Sequence, residues 1–152
     1  MEPKTTKSII IPKEKAVFRM DANGTWWNEH GKFEHPGIIR HFNTSIRKDE
    51  KGYHVYQSNL GTEEKVYFPY EDTAIFAVDL QEGPPLELIL NTGDSVHLDP
   101  HQLTIKQDNL YMQTTDHCIK FSTRAMMKLS RCLEEKDGKL FLTIRDKSYP
   151  IG

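Results

Sequence analysis

An internal repeat constrains this chain more than any other feature: residues 17–57 are echoed by residues 103–145. Each copy reads as strand, turn, strand, helix, turn and strand. Matched positions lie 86, 87 and 88 residues apart, at the pairs Gly52 and Gly138, Ile46 and Leu133, and Ile38 and Met126. A drift of about two residues is what short insertions in turns produce. The repeat therefore predicts two copies of one small module.

Each copy is predicted to contribute one helix to a structure made mostly of strands. The first helix has an apolar face that runs from Ile38 to Ile46, and the second follows Ser122 or Thr123, either of which can cap its start. The middle of the chain, from residue 65 to residue 106, contains only strand and turn patterns. This order predicts an α+β fold with mainly antiparallel sheets.

The same patterns predict how the chain is divided. Residues 1–15 are basic and polar and are expected to form a flexible N-terminal arm, although residues 9–11 can add an edge strand to a sheet. Residues 16–66 are expected to form the N-terminal module, and residues 67–152 a C-terminal module with extra strands. Because neither half is large enough to bury much core alone, the two halves are expected to pack against each other.

Composition excludes several classes of protein. The net charge is −2, with cations and anions interspersed, so a duplex nucleic acid is not an expected partner. No apolar stretch approaches the ~20 residues of a membrane helix, and a membrane is not an expected partner. The residues preceding Pro12 lack a signal-peptide pattern, and Cys118 and Cys132 fit free thiols. We therefore expect a cytoplasmic protein.

Catalytic and metal motifs are not evident in the sequence. The seven histidines lack the spacing of a zinc site, and the nine glycines are scattered singly rather than grouped in a phosphate-binding loop. No catalytic residue, metal ligand or cofactor is predicted, and the expectation is that the protein is not an enzyme. Asp72, Asp79 and Asp94 lie at strand ends or turns, which leaves a hydrolase as an alternative.

A small anion is the ligand that the remaining residues favour. Arg40, Lys65 and Arg124 lie beside turns or at helix starts, where a cationic pocket can form, and a helix start near Arg124 would add backbone donors. Asp94 in its turn completes the candidate set. Trp26 and Trp27 point to opposite faces of a strand, so one belongs to the core and the other can stack on a ligand. We assign the stacking role to Trp26.

The order and spacing of several short segments resemble a bacterial family known only as domain of unknown function 1285. The similar segments are the Asn-Gly-Thr-Trp turn at residues 23–26, the helix at residues 35–42, and residues 64–65, 72–78, 91–94 and 124–126. The resemblance covers the chain from about Phe18 to its end. It departs at His35, where the family has an arginine before the proline, and this change bears on any anion site at that helix start.

What the resemblance implies is a duplicated core whose C-terminal half is superficially like a pleckstrin-homology fold. It also implies a site between the halves for a nucleotide-like ligand and a role in signal transduction. The leading expectation is thus a non-enzymatic ligand-binding or regulatory module. The alternatives are a protein-interaction adaptor that binds a partner along an exposed sheet edge, and the hydrolase.

Overall fold

The computed structural model describes residues 7–83 and 85–152, and the chain divides into two compact units, the first ending at Ala74 and the second beginning at Ile75. The expected boundary after residue 66 is therefore eight residues too early. The reason is that Phe68 and Tyr70, which follow the last strand of the first unit, still pack inside it: their rings contact Trp26 at 4.8 Å and Tyr53 at 5.6 Å, respectively.

The N-terminal unit consists of two small sheets and one helix. Its elements are β1 (Lys7–Ile11), β2 (Phe18–Met20), β3 (Trp26–Asn28), β4 (Gly31–Lys32), α1 (Pro36–Thr44), β5 (Ile46–Asp49), β6 (Gly52–Asn59) and β7 (Thr62–Tyr67). One sheet has the order β1-β7-β6-β5, with β1 parallel to β7 and the other pairs antiparallel. The other sheet is the antiparallel meander β2-β3-β4.

The segment expected to be a flexible arm is largely structured. β1 pairs with β7 over its full length, which confirms the edge strand expected at residues 9–11, and a short 3₁₀ turn follows at Lys13–Lys15. The expected arm is therefore wrong for residues 7–15, because residues 7–11 are paired with β7 and residues 13–15 form the 3₁₀ turn. The remainder of the expected arm, residues 1–6, lies outside the described residues.

The core of the N-terminal unit is an aromatic cluster around Trp26. Its indole ring lies 5.7 Å from Phe18, 5.4 Å from Phe42 and 4.8 Å from Phe68, measured between ring centroids. The indole N–H donates to Asn43 Oδ1 of α1 at 2.7 Å, so the polar end of the buried ring is satisfied. Trp26 is 1% exposed and thereby links β3 to α1 and to the segment after β7.

The helix α1 ends earlier than its apolar pattern predicts. Thr44 Oγ1 donates to the carbonyl of Arg40 at 2.8 Å, and Ser45 Oγ donates to the carbonyl of His41 at 2.6 Å. These hydroxyls satisfy the last helical carbonyls, and the chain leaves the helix before Ile46. Ile46 is the first, buried residue of β5 rather than part of the helix face, and Ile38 is 48% exposed.

The C-terminal unit is built on a larger sheet. Its elements are β8 (Ile75–Gln81), β9 (Glu87–Leu90), β10 (Ser95–His97), β11 (Leu103–Lys106), β12 (Asn109–Gln113), β13 (Cys118–Phe121), α2 (Thr123–Leu129), β14 (Leu133–Lys136), β15 (Lys139–Ile144) and β16 (Lys147–Pro150). Six strands form a sheet in the order β10-β9-β8-β13-β12-β11, in which β8 and β13 are parallel, and β14-β15-β16 form an antiparallel sheet. Helix α2 packs on β8 and β13 through buried Ala125 and Leu129. Ser122 caps α2, as predicted, by accepting from Ala125 N at 3.2 Å.

The repeat is visible in the order of elements and in the strand register. Strands β2 and β3, helix α1 and strands β5 and β6 correspond to β12, β13, α2, β14 and β15. The hairpin pair Ile46 and Val55 matches Leu133 and Leu142, and Asp49 and Gly52 match Lys136 and Lys139. From the start of the helix through the hairpin the offset is constant at 87 residues, so the expected drift is wrong there. The offset changes before the helix, because the first copy contains the additional strand β4.

These observations confirm an α+β fold with mainly antiparallel sheets. The described residues form sixteen strands and two α-helices, and none of these helices is long and apolar enough to span a membrane. Cys118 and Cys132 do not form a disulfide bond. The pleckstrin-homology likeness of the C-terminal half stays a prediction.

The two neighbouring tryptophans should differ sharply in their effect on stability. We expect Trp26→Ala to lower the free energy of unfolding by about 3–5 kcal/mol, because it leaves a cavity in the aromatic cluster. Trp27→Ala should cost about 1 kcal/mol, since this ring is only partly buried. Urea denaturation followed by far-UV circular dichroism measures both. Equal losses would contradict the assignment of Trp26 as the central core residue.

Candidate functional site

The structure places Trp26 in the core, not at a ligand site. Its ring is covered by phenylalanines and its N–H is used by Asn43, so neither a ring face nor a donor is open to a ligand. The stacking role assigned to Trp26 is therefore wrong for this conformation. The sequence could not decide between the two tryptophans, because alternation along a strand does not say which face is buried.

Trp27 is the partly exposed tryptophan, but its surroundings do not favour an anion. Its indole N–H donates to Asp21 Oδ2 at 2.8 Å, and the Arg19 guanidinium lies 5.2 Å from its ring centroid. Burial raises the pKa of Asp21, but the hydrogen bonds from Trp27, Thr25 and Asn23 outweigh it, so the pKa lies below its usual value. Glu71 adds a second carboxylate 3.7 Å from Arg19. Two carboxylates, those of Asp21 and Glu71, thus lie near Trp27 with one cation, Arg19, and this net negative charge disfavours an anionic ligand.

The predicted cations have different surroundings. Arg40 is exposed on α1, and Lys65 Nζ on β7 lies 3.2 Å from Asp49 Oδ2. Arg124 is exposed and lies 3.5 Å from Asp79, whose pKa is lowered first by its hydrogen bond from Lys128. Helix α2 has only seven residues, and the Ser122 hydroxyl already accepts from its Ala125 N–H. One of the backbone donors expected beside Arg124, the N–H of Ala125, is therefore already occupied.

The remaining predicted residue, Asp94, lies in the turn between β9 and β10. Its carboxylate accepts from Thr92 Oγ1 at 3.0 Å, and its backbone carbonyl accepts from Leu90 N. These contacts explain the aspartate as a turn former. Trp26, Arg40 and Lys65 belong to the N-terminal unit and Asp94 and Arg124 to the C-terminal unit. Their meeting at a shared site stays a prediction.

His35, which stands where the family that the sequence resembles has an arginine, caps the start of α1. Its Nδ1 accepts from the backbone N–H groups of Gly37 at 3.1 Å and Ile38 at 3.3 Å. The imidazole thus occupies two of the donors that a bound anion would need at this helix end. An arginine has no acceptor in its side chain, so it could not cap the helix in this way.

A pocket in the N-terminal unit brings together a different set of residues. Its volume is about 250 Å³, and we call it the tyrosine pocket. Strand β1 and the turn after it form one part of its lining, the β5–β6 turn a second, and the end of β7 a third. The lining residues are Ile10, Pro12, Lys13, Glu14, Lys51, Gly52, Tyr53, Tyr67, Phe68 and Tyr70.

The tight turn between β5 and β6 positions Lys51 and Tyr53 at this pocket. Asp49 Oδ1 accepts from the backbone N–H of Lys51 at 2.9 Å, and Gly52 has a φ of 115°. That backbone conformation is strained for a residue with a Cβ, so glycine suits this position. The turn therefore brings Lys51 to the rim and Tyr53 to the wall.

The aromatic wall of the tyrosine pocket is held by contacts between its own rings. Tyr53 and Tyr70 meet edge to face with centroids 5.6 Å apart, and Phe68 lies 6.0 Å from Tyr70. Tyr70 is 37% exposed, whereas Tyr53 is 8% exposed. Tyr70 therefore offers the largest open aromatic surface in the wall.

The carboxylate of Asp49 fixes the back of the pocket. Its Oδ2 accepts from the Tyr67 hydroxyl at 2.6 Å and lies 3.2 Å from Lys65 Nζ and 3.9 Å from His54 Nδ1. The Tyr67 hydrogen bond, more than any other contact, lowers the pKa of Asp49 to about 2. The same bond raises the pKa of Tyr67 to about 12, since the phenol proton is held between the two oxygens.

His54 is the buried neighbour of this carboxylate. It is 2% exposed and its ring lies 5.0 Å from that of Tyr67. Burial lowers its pKa despite the nearby Asp49, so the imidazole is neutral at pH 7. Behind the pocket, the Asp49 carboxylate therefore interacts with Tyr67 and Lys65, and the His54 imidazole beside it is neutral.

Sequence reasoning missed the tyrosine pocket. It treated Tyr53, Tyr67 and Tyr70 as strand and turn residues and assigned Lys65 to a ligand rather than to Asp49. The strand register brings them together: His54 lies opposite Tyr67, and Asp49 opposite Gly52. The signal available was a turn containing Asp49 and Lys51 beside strands that end in tyrosine.

In the described part of the chain, no three histidine, cysteine, aspartate or glutamate side chains form a group that could hold a metal.

Comparison with known proteins supports the fold. No family model matches the chain, and no curated protein matches it. Two solved structures of DUF1285 family proteins are similar to it. One, from Silicibacter pomeroyi DSS-3, has a TM-score of 0.62 at 17% identity, covering 95% of this chain and 83% of its own. The other, from Shewanella baltica OS155, has a TM-score of 0.52 at 17% identity, covering 73% and 87%.

These neighbours confirm, at the level of the fold, the family resemblance found in the sequence. Both are proteins of a domain family named for its unknown function, so the likeness assigns no ligand or activity to this chain. Function has to be argued from the residues of the site.

The hydrogen bond between Asp49 and Tyr67 should appear in the pH dependence of stability. The pKa of Asp49 is lowered from its usual value of about 4. The contribution of Asp49 to the free energy of unfolding should therefore be lost as the pH falls from about 4 to 2. The pKa of Tyr67 is raised from its usual value of about 10. The contribution of Tyr67 to the free energy of unfolding should therefore be lost as the pH rises from about 10 to 12. We expect Tyr67→Phe to abolish the alkaline loss and reduce the acid loss. Urea denaturation across this pH range measures both.

Tyr56→Phe is the matched control. Tyr56 also donates to a carboxylate on the same sheet, that of Glu63 at 2.9 Å, but its removal leaves Tyr67 and Asp49 in place. The control should retain the alkaline loss. An alkaline loss that persists unchanged in Tyr67→Phe would contradict the proposed pairing.

Proposed function

We propose that this protein is a non-enzymatic ligand-binding module that takes a small, flat, anionic molecule in the tyrosine pocket. The observation that carries the proposal is the combination of an open aromatic wall at Tyr70 with two exposed ammonium groups, Lys13 and Lys51, in one pocket. A nucleoside monophosphate has both the ring and the charge that these residues favour. The proposal keeps the ligand chemistry expected from the sequence and moves its site into the N-terminal unit.

The ring of the ligand would bind to the apolar part of the lining. Tyr53 and Tyr70 supply aromatic surface, and Ile10 and Pro12 supply aliphatic surface. Aromatic contacts of this kind tolerate different bases, because every base has a π-face. The volume of about 250 Å³ lies below the usual range for drug-sized ligands, so a single ring system is favoured over a dinucleotide.

The anionic group would be held by Lys13 and Lys51 at the rim. Both side chains are exposed, and neither forms an ion pair with another described residue. Glu14 also lines the pocket and opposes them, so the lining carries one net positive charge. A single phosphate group suits this balance better than a polyphosphate.

The contacts behind the pocket favour binding over catalysis. The Tyr67 hydroxyl donates to Asp49, Lys65 pairs with the same carboxylate, and His54 is buried and neutral. None of the three is left as a free general base facing a ligand. We propose that the module acts through ligand occupancy, as a regulatory or sensing domain does.

The other two functions have less support. The adaptor alternative uses an exposed sheet edge, and β1 has exposed Ile9 and Ile10, but Ile10 also lines the tyrosine pocket. The hydrolase alternative uses turn aspartates, but Asp79 is paired with Lys128 and Arg124, and Asp94 with Thr92. These contacts explain two of the three candidate aspartates, Asp79 and Asp94, without catalysis.

Thermal unfolding with nucleoside monophosphates tests the proposal. At a hundredfold excess over Kd, a bound ligand stabilises the folded state by about 2.7 kcal/mol, which is a rise in Tm of several degrees. We expect adenosine monophosphate to raise Tm and adenosine to do so less, because adenosine lacks the charge. Lys51→Ala and Tyr70→Leu should each weaken binding of the monophosphate by about tenfold, as loss of a charge-assisted contact or of a stacking ring does.

Arg40→Ala and Arg124→Ala are the controls. Each removes one exposed arginine that does not line the tyrosine pocket, and each tests a residue that the sequence favoured. Neither should change the Tm shift. The proposal is wrong if no monophosphate raises Tm, or if the arginine variants lose binding while Lys51→Ala retains it.

A further inference from the structure

The C-terminal unit contains a second cavity, larger than the tyrosine pocket. Its volume is about 640 Å³, within the range of about 300–1,000 Å³ that small-molecule sites occupy. Leu86, which immediately precedes β9, and Leu98, which immediately follows β10, line one side of it, and Ile144 and Tyr149 line it from the β15–β16 hairpin. The wall is therefore largely apolar and comes from two separate parts of the unit.

Backbone and ring contacts hold these two parts. The N–H of Leu98 donates to the carbonyl of Leu86 at 2.9 Å. In the hairpin, Tyr149 is paired with buried Leu142, and its ring contacts that of His101 edge to face at 5.6 Å. His101 follows Asp99, whose carboxylate caps the 3₁₀ turn Pro100–Gln102. The walls are thus fixed before any ligand binds.

The rim of this cavity is charged. Arg145, Asp146 and Lys147 form the tip of the β15–β16 hairpin, line the cavity and are exposed. Neither Arg145 nor Lys147 forms an ion pair with another residue in the described part of the chain. Two cations against one carboxylate leave a net positive rim beside an apolar wall.

We propose that this cavity binds an amphipathic monoanion, an aliphatic chain that ends in a carboxylate. The chain would lie against Leu86, Leu98 and Ile144, where its burial drives binding, and the carboxylate would meet Arg145 and Lys147. Apolar walls with a few convergent polar groups are the usual composition of such sites. The site is separate from the tyrosine pocket and does not depend on the proposed function.

The experiment is a titration of the full chain with hexanoate, octanoate and decanoate, followed by ¹⁵N–¹H correlation spectra. We expect saturable shifts at Leu98, Ile144 and Tyr149, and affinity that rises about fourfold for each added methylene, the value for burying an aliphatic group. Residues of the tyrosine pocket, such as Tyr53 and Tyr70, should not shift. Shifts elsewhere only, or affinity independent of chain length, would overturn the proposal.

Arg145→Gly tests the charged rim without disturbing the turn. Arg145 has a φ of 51°, which glycine adopts without strain, so this variant should fold. It should bind decanoate about threefold to fivefold more weakly, the size of an exposed ion pair, and bind decanol unchanged. Gln107→Gly, at a left-handed position of the β11–β12 turn with the same φ of 51°, is the matched control and should bind decanoate as the natural chain does.

Ile144→Glu tests the wall itself. Because Ile144 is only partly buried, a glutamate here should be tolerated in the fold while its charge repels the carboxylate. Decanoate binding should fall more than tenfold in this variant, with the spectrum otherwise folded. Unchanged decanoate binding in a folded Ile144→Glu, or in Arg145→Gly, would contradict the site.

Discussion

The carboxylate of Asp49 is the contact on which the candidate site depends. One oxygen, Oδ1, orders the β5–β6 turn by accepting from Lys51 N, and the other accepts from Tyr67 and pairs with Lys65. A single side chain thus fixes the turn at the rim and the tyrosine at the back. The lowered pKa of Asp49 and the raised pKa of Tyr67 are two consequences of one hydrogen bond.

Local patterns in the sequence were sufficient to predict most of the fold. The repeat predicted the order of strands and helices, and Ser122 was recognised as the cap of α2 because its hydroxyl precedes an apolar helical face. The end of α1 could not be predicted in this way, because Ile46 fits the helical period and the β5 pattern equally well. The helix ends before Ile46 because the side-chain hydroxyls of Thr44 and Ser45 donate to the last helical carbonyls. The docking of β1 on β7 is likewise a long-range pairing that no local pattern encodes.

The candidate site was much less accessible to sequence reasoning. Residue type suggested Trp26, Arg40 and Arg124, because tryptophan stacks and arginine binds anions, but burial and pairing decide what each does. Trp26 is enclosed, and Arg124 has Asp79 as its partner. The tyrosine pocket depends on cross-strand register, which places Tyr67 opposite His54 and near Asp49. A one-residue slip would turn these side chains to the other face, so register is the information that the sequence alone lacks.

Intermolecular nuclear Overhauser effects would show whether a ligand binds against Tyr70 in the N-terminal unit, as we propose. We expect effects between the ring protons of bound adenosine monophosphate and the side chains of Tyr70 and Ile10, which line the same pocket. Effects to Trp27, or only to residues of the C-terminal unit, would contradict this proposal.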